Sequence, residues 1–201
     1  MIEEAKTENV AFLVVGDPFC ATTHTDLYLR CYQEGVKVEV VHNASIVSAM
    51  GCCGLMVYRF GEIVTLPFFT EKWRPYSFYD KVKANRDRGL HTLVLLDIKV
   101  KEPTEESLAR GKPVYMPPRY MLTDLAAQQI LEAEEKQALG AYTPETACFA
   151  LARVGSETQK IVSGPLKYFV DADLGPELHS FIIAGDMHSV EEEMYEHFKP
   201  K

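Results

Sequence analysis

Three short polar clusters, each next to an apolar run, contain the residue types best suited to hold a ligand. The first is Gly16–Pro18, directly after the run at 12–15, and the second is His42–Ile46, after the alternating run at 36–41. The third, Leu95–Asp97, lies near the end of a strongly apolar stretch. Ligands of open parallel sheets bind beyond the carboxyl ends of the strands. The clusters therefore predict a cleft lined by backbone groups and few charges, which suits a neutral or zwitterionic cofactor.

Each cluster also has a purely structural explanation. A Gly-Asp-Pro sequence is a common turn, because aspartate bonds to its own backbone and proline fixes φ. Asn43 or Ser45 could simply cap the helix that follows. His42 and His91 stand at the ends of expected strands, where a histidine with satisfied hydrogen bonds is the simpler interpretation.

Composition and motifs exclude several classes of protein. The 201 residues carry a formal charge of −8, which argues against sequence-independent binding to nucleic acid, because that needs a basic face. The sequence has no phosphate-loop, dinucleotide, zinc-protease or nucleophile-elbow motif. The histidines do not fall at metal-ligand spacing, so we expect no metal site. No apolar run is long enough to span a membrane, and the acidic amino terminus is not a signal peptide.

The five cysteines point to a reducing compartment. Their odd number and the lack of a C-x-x-C pair fit neither a disulfide framework nor a zinc site. A cytoplasmic location follows as an expectation. We expect the adjacent Cys52 and Cys53 to be small packing residues, because they point in different directions from one helix.

The order of elements predicts an α/β fold in two parts. Strand-helix-strand-helix order in the first part favours a parallel sheet with crossover helices, and the second part mixes hairpin-like strands with helices. The expected boundary gives a parallel α/β N-terminal domain over 1–63 and a mixed-sheet α/β C-terminal domain over 64–201, with the cofactor cleft between them. Strands are predicted at 9–16, 36–43, 62–69, 91–99, 147–155, 159–164 and 177–185. Helices are predicted at 23–35, 44–61, 77–89 and 123–140, with a last helix capped by Ser189 and Glu192.

The blocks around these clusters resemble those of the diphthine synthase family, within the tetrapyrrole methylase superfamily. They are FLVVGDPF, VVHNASI, GCCGL, TEKWRP, HTLVLLDIKVKE, PPRYM, AAQQILE, LARVG and ELHS, in that order along nearly the whole chain. HNASI, GCCGL and LLDIKVKE are specific to this branch. A Gly-Asp-Pro loop alone would indicate only the superfamily.

The resemblance implies a two-domain tetrapyrrole-methylase-like fold, with S-adenosylmethionine bent into the cleft between the domains, and a homodimer. It implies a methyltransferase that acts on the amino group of the modified histidine of translation elongation factor 2, an intermediate of diphthamide biosynthesis. In eukaryote-like members a carboxyl group is methylated as well. Carried over by position, the cofactor contacts would be Asp17, Cys20, Ser45, Ile46, Leu96, Val154 and His179. The resemblance assigns no catalytic residue, and methyl transfer from a sulfonium mainly requires positioning of the nucleophile.

The sequence departs from the family pattern in two places. Family members carry a strand and a G-x-G-x-G-D loop before the Gly-Asp-Pro block, and this sequence has neither, so we expect a truncated N-terminal domain with unpaired strand edges. A glycine is usual at the position of Cys20. Two alternatives stay open: a catalytically impaired truncated form that acts as an interaction protein, and a methylase of another substrate such as a tetrapyrrole. The WRP, GCCGL and LLDIKVKE blocks argue against the second.

Overall fold

A computed structural model describes residues 1–104, 107 and 114–201 of the chain. The chain folds into two compact units, residues 1–49 and residues 50–201. The predicted domain boundary at residue 63 stays a prediction. In the part of the chain that the structure describes, no helix is both long and apolar enough to cross a membrane.

The first unit contains helices but no sheet. Its helices are α1 (Ile2–Ala5), α2 (His24–Gln33) and α3 (Ile46–Ala49). Residues 1–49 are all described and hold no β-strand, so the prediction of strands at 9–16 and 36–43 is wrong. Both segments line a groove of about 760 Å³ and are not paired with a neighbouring strand. Apolar alternation favours an extended chain, but a strand also needs a neighbour for its backbone hydrogen bonds.

The predicted long helix at 44–61 is also wrong beyond its first turn. After α3 the chain continues in two short 3-10 helices, Met50–Cys53 and Val57–Arg59. Gly54 lies between them at φ +92°, where an added Cβ would be 2.4 Å from the Met194 side chain. A continuous α-helix cannot pass through that conformation. Cys53 is buried as predicted, whereas Cys52 is exposed.

The second unit is built on a mixed five-stranded sheet, as the sequence predicted. The strands are β1 (Val64–Leu66), β2 (Thr92–Leu96), β3 (Ile98–Lys99), β4 (Arg119–Tyr120), β5 (Ala147–Ala152), β6 (Lys160–Pro165) and β7 (His179–Ile183). The strand order is β1-β2-β7-β5-β6, in which β1 and β2 are parallel and the other pairs are antiparallel. The predicted strand at 91–99 is interrupted at Asp97, and its last residues pair in a separate two-stranded sheet, β3 with β4.

Within the described residues, three α-helices accompany this sheet: α4 (Ser77–Arg86), α5 (Thr123–Gln137) and α6 (Ser189–His197). The predicted helices at 77–89 and 123–140 are therefore confirmed, with slightly earlier ends. Helices α4 and α5 contribute to one buried apolar cluster with the strands, which includes Tyr79, Ile130 and Phe181. This core holds the sheet, and thus the ends of its strands, in fixed positions.

The capping box of α6 lies one residue earlier than predicted. Its N-cap is His188, whose side chain accepts a hydrogen bond from the Val190 backbone N–H, while the Glu191 carboxylate accepts one from the His188 backbone N–H. The predicted pair of Ser189 and Glu192 is therefore wrong. Sequence patterns favour serine at an N-cap, but here the buried Glu191 decides where the helix begins.

Candidate functional site

Asp17 connects the two segments that carry the predicted cofactor contacts of the first unit. Its carboxylate accepts hydrogen bonds from the Phe19 N–H at 2.8 Å, the His42 Nδ1–H at 2.9 Å and the Asn43 N–H at 3.2 Å. The backbone bond to Phe19, and next the bond to His42, lower the pKa of Asp17 to about 2. A carboxylate with these donors stays ionised at neutral pH.

Gly16 allows these two segments to approach each other closely. It has φ +78°, and an added Cβ would lie 3.1 Å from the Ala44 carbonyl oxygen. The next residue completes the contact, because the Asp17 N–H donates to the same carbonyl at 3.0 Å. The Gly-Asp-Pro turn and the HNASI segment are thus joined by backbone and carboxylate bonds without any strand pairing.

The other three predicted contacts of this unit, Cys20, Ser45 and Ile46, are close in sequence to the contact between the Gly-Asp-Pro turn and the HNASI segment. Ser45 and Ile46 stand at the start of α3, where the Ser45 Oγ accepts a hydrogen bond from the Val47 N–H at 3.2 Å, so the capping role considered for Ser45 is present. Cys20 is partly buried, and its N–H donates to the Asp17 carbonyl at 3.4 Å. Their contact with a cofactor stays a prediction.

The three predicted contacts of the second unit lie at the same end of three neighbouring strands of the mixed sheet, β2, β7 and β5. Leu96 ends β2, and Val154 follows β5. His179 begins β7, opposite Ala152 of β5. Because β7 runs antiparallel to both neighbours, its start lies beside their ends. The structure thus brings together residues that are far apart in sequence.

The His179 ring is hydrogen-bonded through both nitrogens. Its Nδ1 lies 3.3 Å from the backbone nitrogen of Thr123 and accepts that N–H, at the first residue of α5. Its Nε2 lies 2.8 Å from the Pro176 carbonyl oxygen, to which it donates. Burial lowers the pKa of His179, so the neutral ring is the favoured form. The ring therefore fixes the start of α5 against β7.

A pocket of about 340 Å³ lies beside His179, within the size range of small-molecule sites. Its lining combines apolar and acidic side chains: Leu122, Asp124, Val170, Asp171, Asp173 and Leu174. S-adenosylmethionine has ribose hydroxyls and an ammonium group, both of which can donate hydrogen bonds to carboxylates. The residues present therefore fit a part of this cofactor.

Two side chains outside the seven predicted cofactor contacts, Asp97 and Gln129, hold the chain after β1. Asp97 accepts a hydrogen bond from the Phe68 N–H at 3.1 Å. Gln129 of α5 accepts the Phe69 N–H at 2.9 Å and donates to the Pro67 carbonyl at 2.8 Å. These contacts fix the loop that leaves the carboxyl end of β1, next to Leu96 on β2. The position of Asp97 at a strand end was visible in the sequence, whereas a glutamine inside a helix gave no signal.

Comparison with known proteins agrees with this fold. Residues 1–169 match the family described as Tetrapyrrole (Corrin/Porphyrin) Methylases. The chain belongs to this family of S-adenosylmethionine-dependent methyltransferases.

Individual relatives give a narrower description than the family model. A protein from Arabidopsis thaliana is 57% identical over 202 residues, a match covering 100% of this chain and 73% of the relative. A Dictyostelium discoideum protein named diphthine methyl ester synthase is 50% identical, again over 100% of this chain and 74% of the relative. A crystal structure from Entamoeba histolytica is 46% identical, with a TM-score of 0.89, covering 100% of this chain and 75% of that one.

Proposed function

We propose that this chain transfers methyl groups from S-adenosylmethionine to the modified histidine intermediate of translation elongation factor 2, in diphthamide biosynthesis. The similarity to diphthine methyl ester synthase along the whole of this chain carries the proposal. A methyl ester forms only on a carboxyl group, so the name of the relative describes methylation of a carboxylate. We extend the activity to the amino group of the same side chain, as the resemblance implies.

The geometry supports a positioning role for the protein. In methyl transfer, the nucleophile attacks the methyl carbon while the carbon–sulfur bond breaks on the opposite side, and the sulfonium is already an activated leaving group. The enzyme must therefore hold the two reactants in line and exclude water. The carboxylates of Asp17 and Asp97 accept backbone hydrogen bonds from Asn43 and Phe68. These bonds hold the chain next to the predicted contacts, which supports a positioning role.

The cofactor contacts are part of the same proposal. Asp17, Cys20, Ser45 and Ile46 would bind it from the first unit, and Leu96, Val154 and His179 from the second. A homodimer and a cytoplasmic location are also proposed, since both follow from the family resemblance and the cysteine content.

The test is methylation of elongation factor 2 isolated from cells that stop before the methylation step. We expect this protein, given S-adenosylmethionine with isotopically labelled methyl groups, to add labelled methyl groups at the modified histidine, as counted by peptide mass spectrometry. Unmodified elongation factor 2 is the control and should gain none. Calorimetric titration with S-adenosylhomocysteine measures cofactor binding separately. Cofactor binding with no transfer to the factor, or transfer to a tetrapyrrole instead, would overturn the proposal.

A further inference from the structure

Asp17 and His42 form a hydrogen-bonded carboxylate–imidazole pair, the arrangement in which a carboxylate can orient a histidine. The Asp17 Oδ2 lies 2.9 Å from the His42 Nδ1; the side chain of His42 is 71% exposed and that of Asp17 only 8%. An ionised carboxylate can only accept hydrogen bonds, so the proton between the two groups belongs to Nδ1. In the neutral ring, Nε2 then carries the free lone pair.

The buried carboxylate is held in place independently of the histidine. Its other two bonds come from the backbone N–H groups of Phe19 and Asn43. Asp17 thus stays charged and fixes the orientation of the imidazole, as the carboxylate does in a catalytic triad. The Phe19 ring, which carries no charge, also lies near the His42 ring, at a centroid distance of 6.3 Å. Within the described residues, Asp17 is the carboxylate paired with this histidine.

Methylation of an amino group creates the need for such a base. An alkylammonium ion has no lone pair, and the substrate amine is protonated at neutral pH. Histidine is the side chain best suited to exchange protons in this pH range. We propose that His42, oriented by Asp17, is the general base that removes a proton from the ammonium group of the substrate before methyl transfer, an assignment that rests on the proposed function.

The His42 Nε2 takes one proton from the ammonium, which leaves a neutral amine and an imidazolium. The amine lone pair then bonds to the methyl carbon, and the electrons of the carbon–sulfur bond pass to sulfur. The products are a methylated ammonium and S-adenosylhomocysteine, and the imidazolium returns its proton to water. Each further methylation of the same nitrogen repeats the cycle while the nitrogen still carries a proton.

The location of the pair agrees with this role. His42 lies three residues before Ser45, and Asp17 is itself a predicted cofactor contact. Both residues of the pair belong to the unit formed by residues 1–49. The backbone bond from Asp17 to Ala44 holds these two segments together, so the base is anchored to the chain that would contact the cofactor.

The proposal predicts a difference between the two groups that can be methylated. A carboxylate is already deprotonated at neutral pH, so ester formation needs no base. Removal of His42 should therefore slow methylation of the amino group and leave methylation of the carboxyl group almost unchanged. A histidine that only holds the fold would not separate the two reactions.

The experiment compares the wild type with His42→Ala and His42→Gln, and uses Glu39→Gln, an exposed acid on the same segment, as the control. Single-turnover methylation of the elongation factor 2 intermediate is followed by mass spectrometry from acidic to alkaline pH. We expect both histidine variants to lose about 100-fold in amine methylation at neutral pH, and to recover as the pH rises. Added imidazole should partly restore His42→Ala. Carboxyl methylation of a substrate with a fully methylated amine should change less than threefold.

Binding of S-adenosylhomocysteine, measured by calorimetry, should be the same in all four proteins. The inference is overturned if the histidine variants methylate the amine at the wild-type rate. It is equally overturned if they lose cofactor binding and both methylations together, because His42 would then be structural. A wild-type protein that methylates neither group refutes the proposed function itself, and the inference with it.

Discussion

The two ring nitrogens of His179 are both committed to holding the fold. One accepts the first N–H of α5, and the other donates to the loop before β7. The N–H groups of a first helical turn have no partner within the helix, so this histidine acts as a capping side chain from a distant strand. If His179 binds the cofactor, it does so by placing backbone and neighbouring groups as much as by its ring.

Replacement of His179 should therefore lower the stability of the protein and make that stability less dependent on pH. We expect His179→Gln to lower the free energy of unfolding by about 1–2 kcal/mol at pH 7.5, because a buried N–H loses its acceptor. Burial lowers the pKa of the folded ring below its ordinary value of 6.5. Its contribution is thus complete above pH 6.5 and is lost as the pH falls toward the folded pKa.

Urea unfolding at pH 7.5 and 5.5 measures both effects. The exposed His197, in the last turn of α6, provides the control variant His197→Gln. Equal pH dependence in the wild type and His179→Gln would contradict the assigned hydrogen bonds.

At the scale of elements, Glu191 links α6 to two other parts of the second unit. Its Oε1 accepts hydrogen bonds from the Met56 N–H at 2.8 Å and from the His91 Nε2–H at 3.2 Å. The other nitrogen of His91, Nδ1, accepts the Gly185 N–H at 2.9 Å. The side chains of Glu191 and His91 are fully buried. The Glu191 carboxylate thus joins α6 to the segment after the first 3-10 helix and, through His91, to two strand ends. The expected structural role of His91 is confirmed.

The matched pair Glu191→Ala and Glu192→Ala tests this linkage. We expect Glu191→Ala to lower the free energy of unfolding by about 3 kcal/mol, since it leaves several buried donors without an acceptor. The neighbouring Glu192 is exposed, and its removal should change stability by less than about 0.5 kcal/mol. Thermal and urea unfolding of both variants provide the measurement. If Glu192→Ala lowered the free energy of unfolding more than Glu191→Ala, the result would support the capping box of Ser189 and Glu192 that the sequence predicted.

At the scale of the whole molecule, the first unit exposes apolar surface of the kind that the second unit buries. Leu13, Val15 and Val41 are 88%, 105% and 84% exposed, on the two extended segments that line the groove. Extended segments with apolar side chains and unpaired backbone groups are sites of intermolecular association. This surface should govern how the protein behaves in solution.

The double variant Leu13→Lys, Val15→Lys should therefore associate less than the wild type. We expect the fluorescence of a bound hydrophobic dye to fall at least about twofold, and size-exclusion chromatography to show fewer large species. Leu139→Lys is the control, because Leu139 is a 56%-exposed leucine of the second unit, and this change should have little effect. Unchanged dye binding in the double variant would mean that this surface is covered in solution.

Local patterns in the sequence were sufficient for much of the second unit. Strong periodicity and clear glycine ends mark the helices at 77–86 and 123–137 and the antiparallel strands from 147 onward. The predictions of these elements are confirmed. The family was also recognisable from short blocks such as HNASI and LLDIKVKE. For the candidate site, the sequence supplied seven residues, and the structure groups them within their own units.

Long-range contacts decided the structure of the first unit and the pairing of distant side chains. The runs at 9–16 and 36–43 have the composition of strands, but pairing depends on a neighbour that local sequence cannot specify. The same holds for the pair of Asp17 and His42, which are 25 residues apart, and for the hydrogen bonds from Gln129 to the loop after β1. The sequence by itself determined the family, the mixed α/β class and the identity of the reactive groups. Only the tertiary structure decided which of those groups meet, because hydrogen bonds between distant residues form only once packing has brought the segments together.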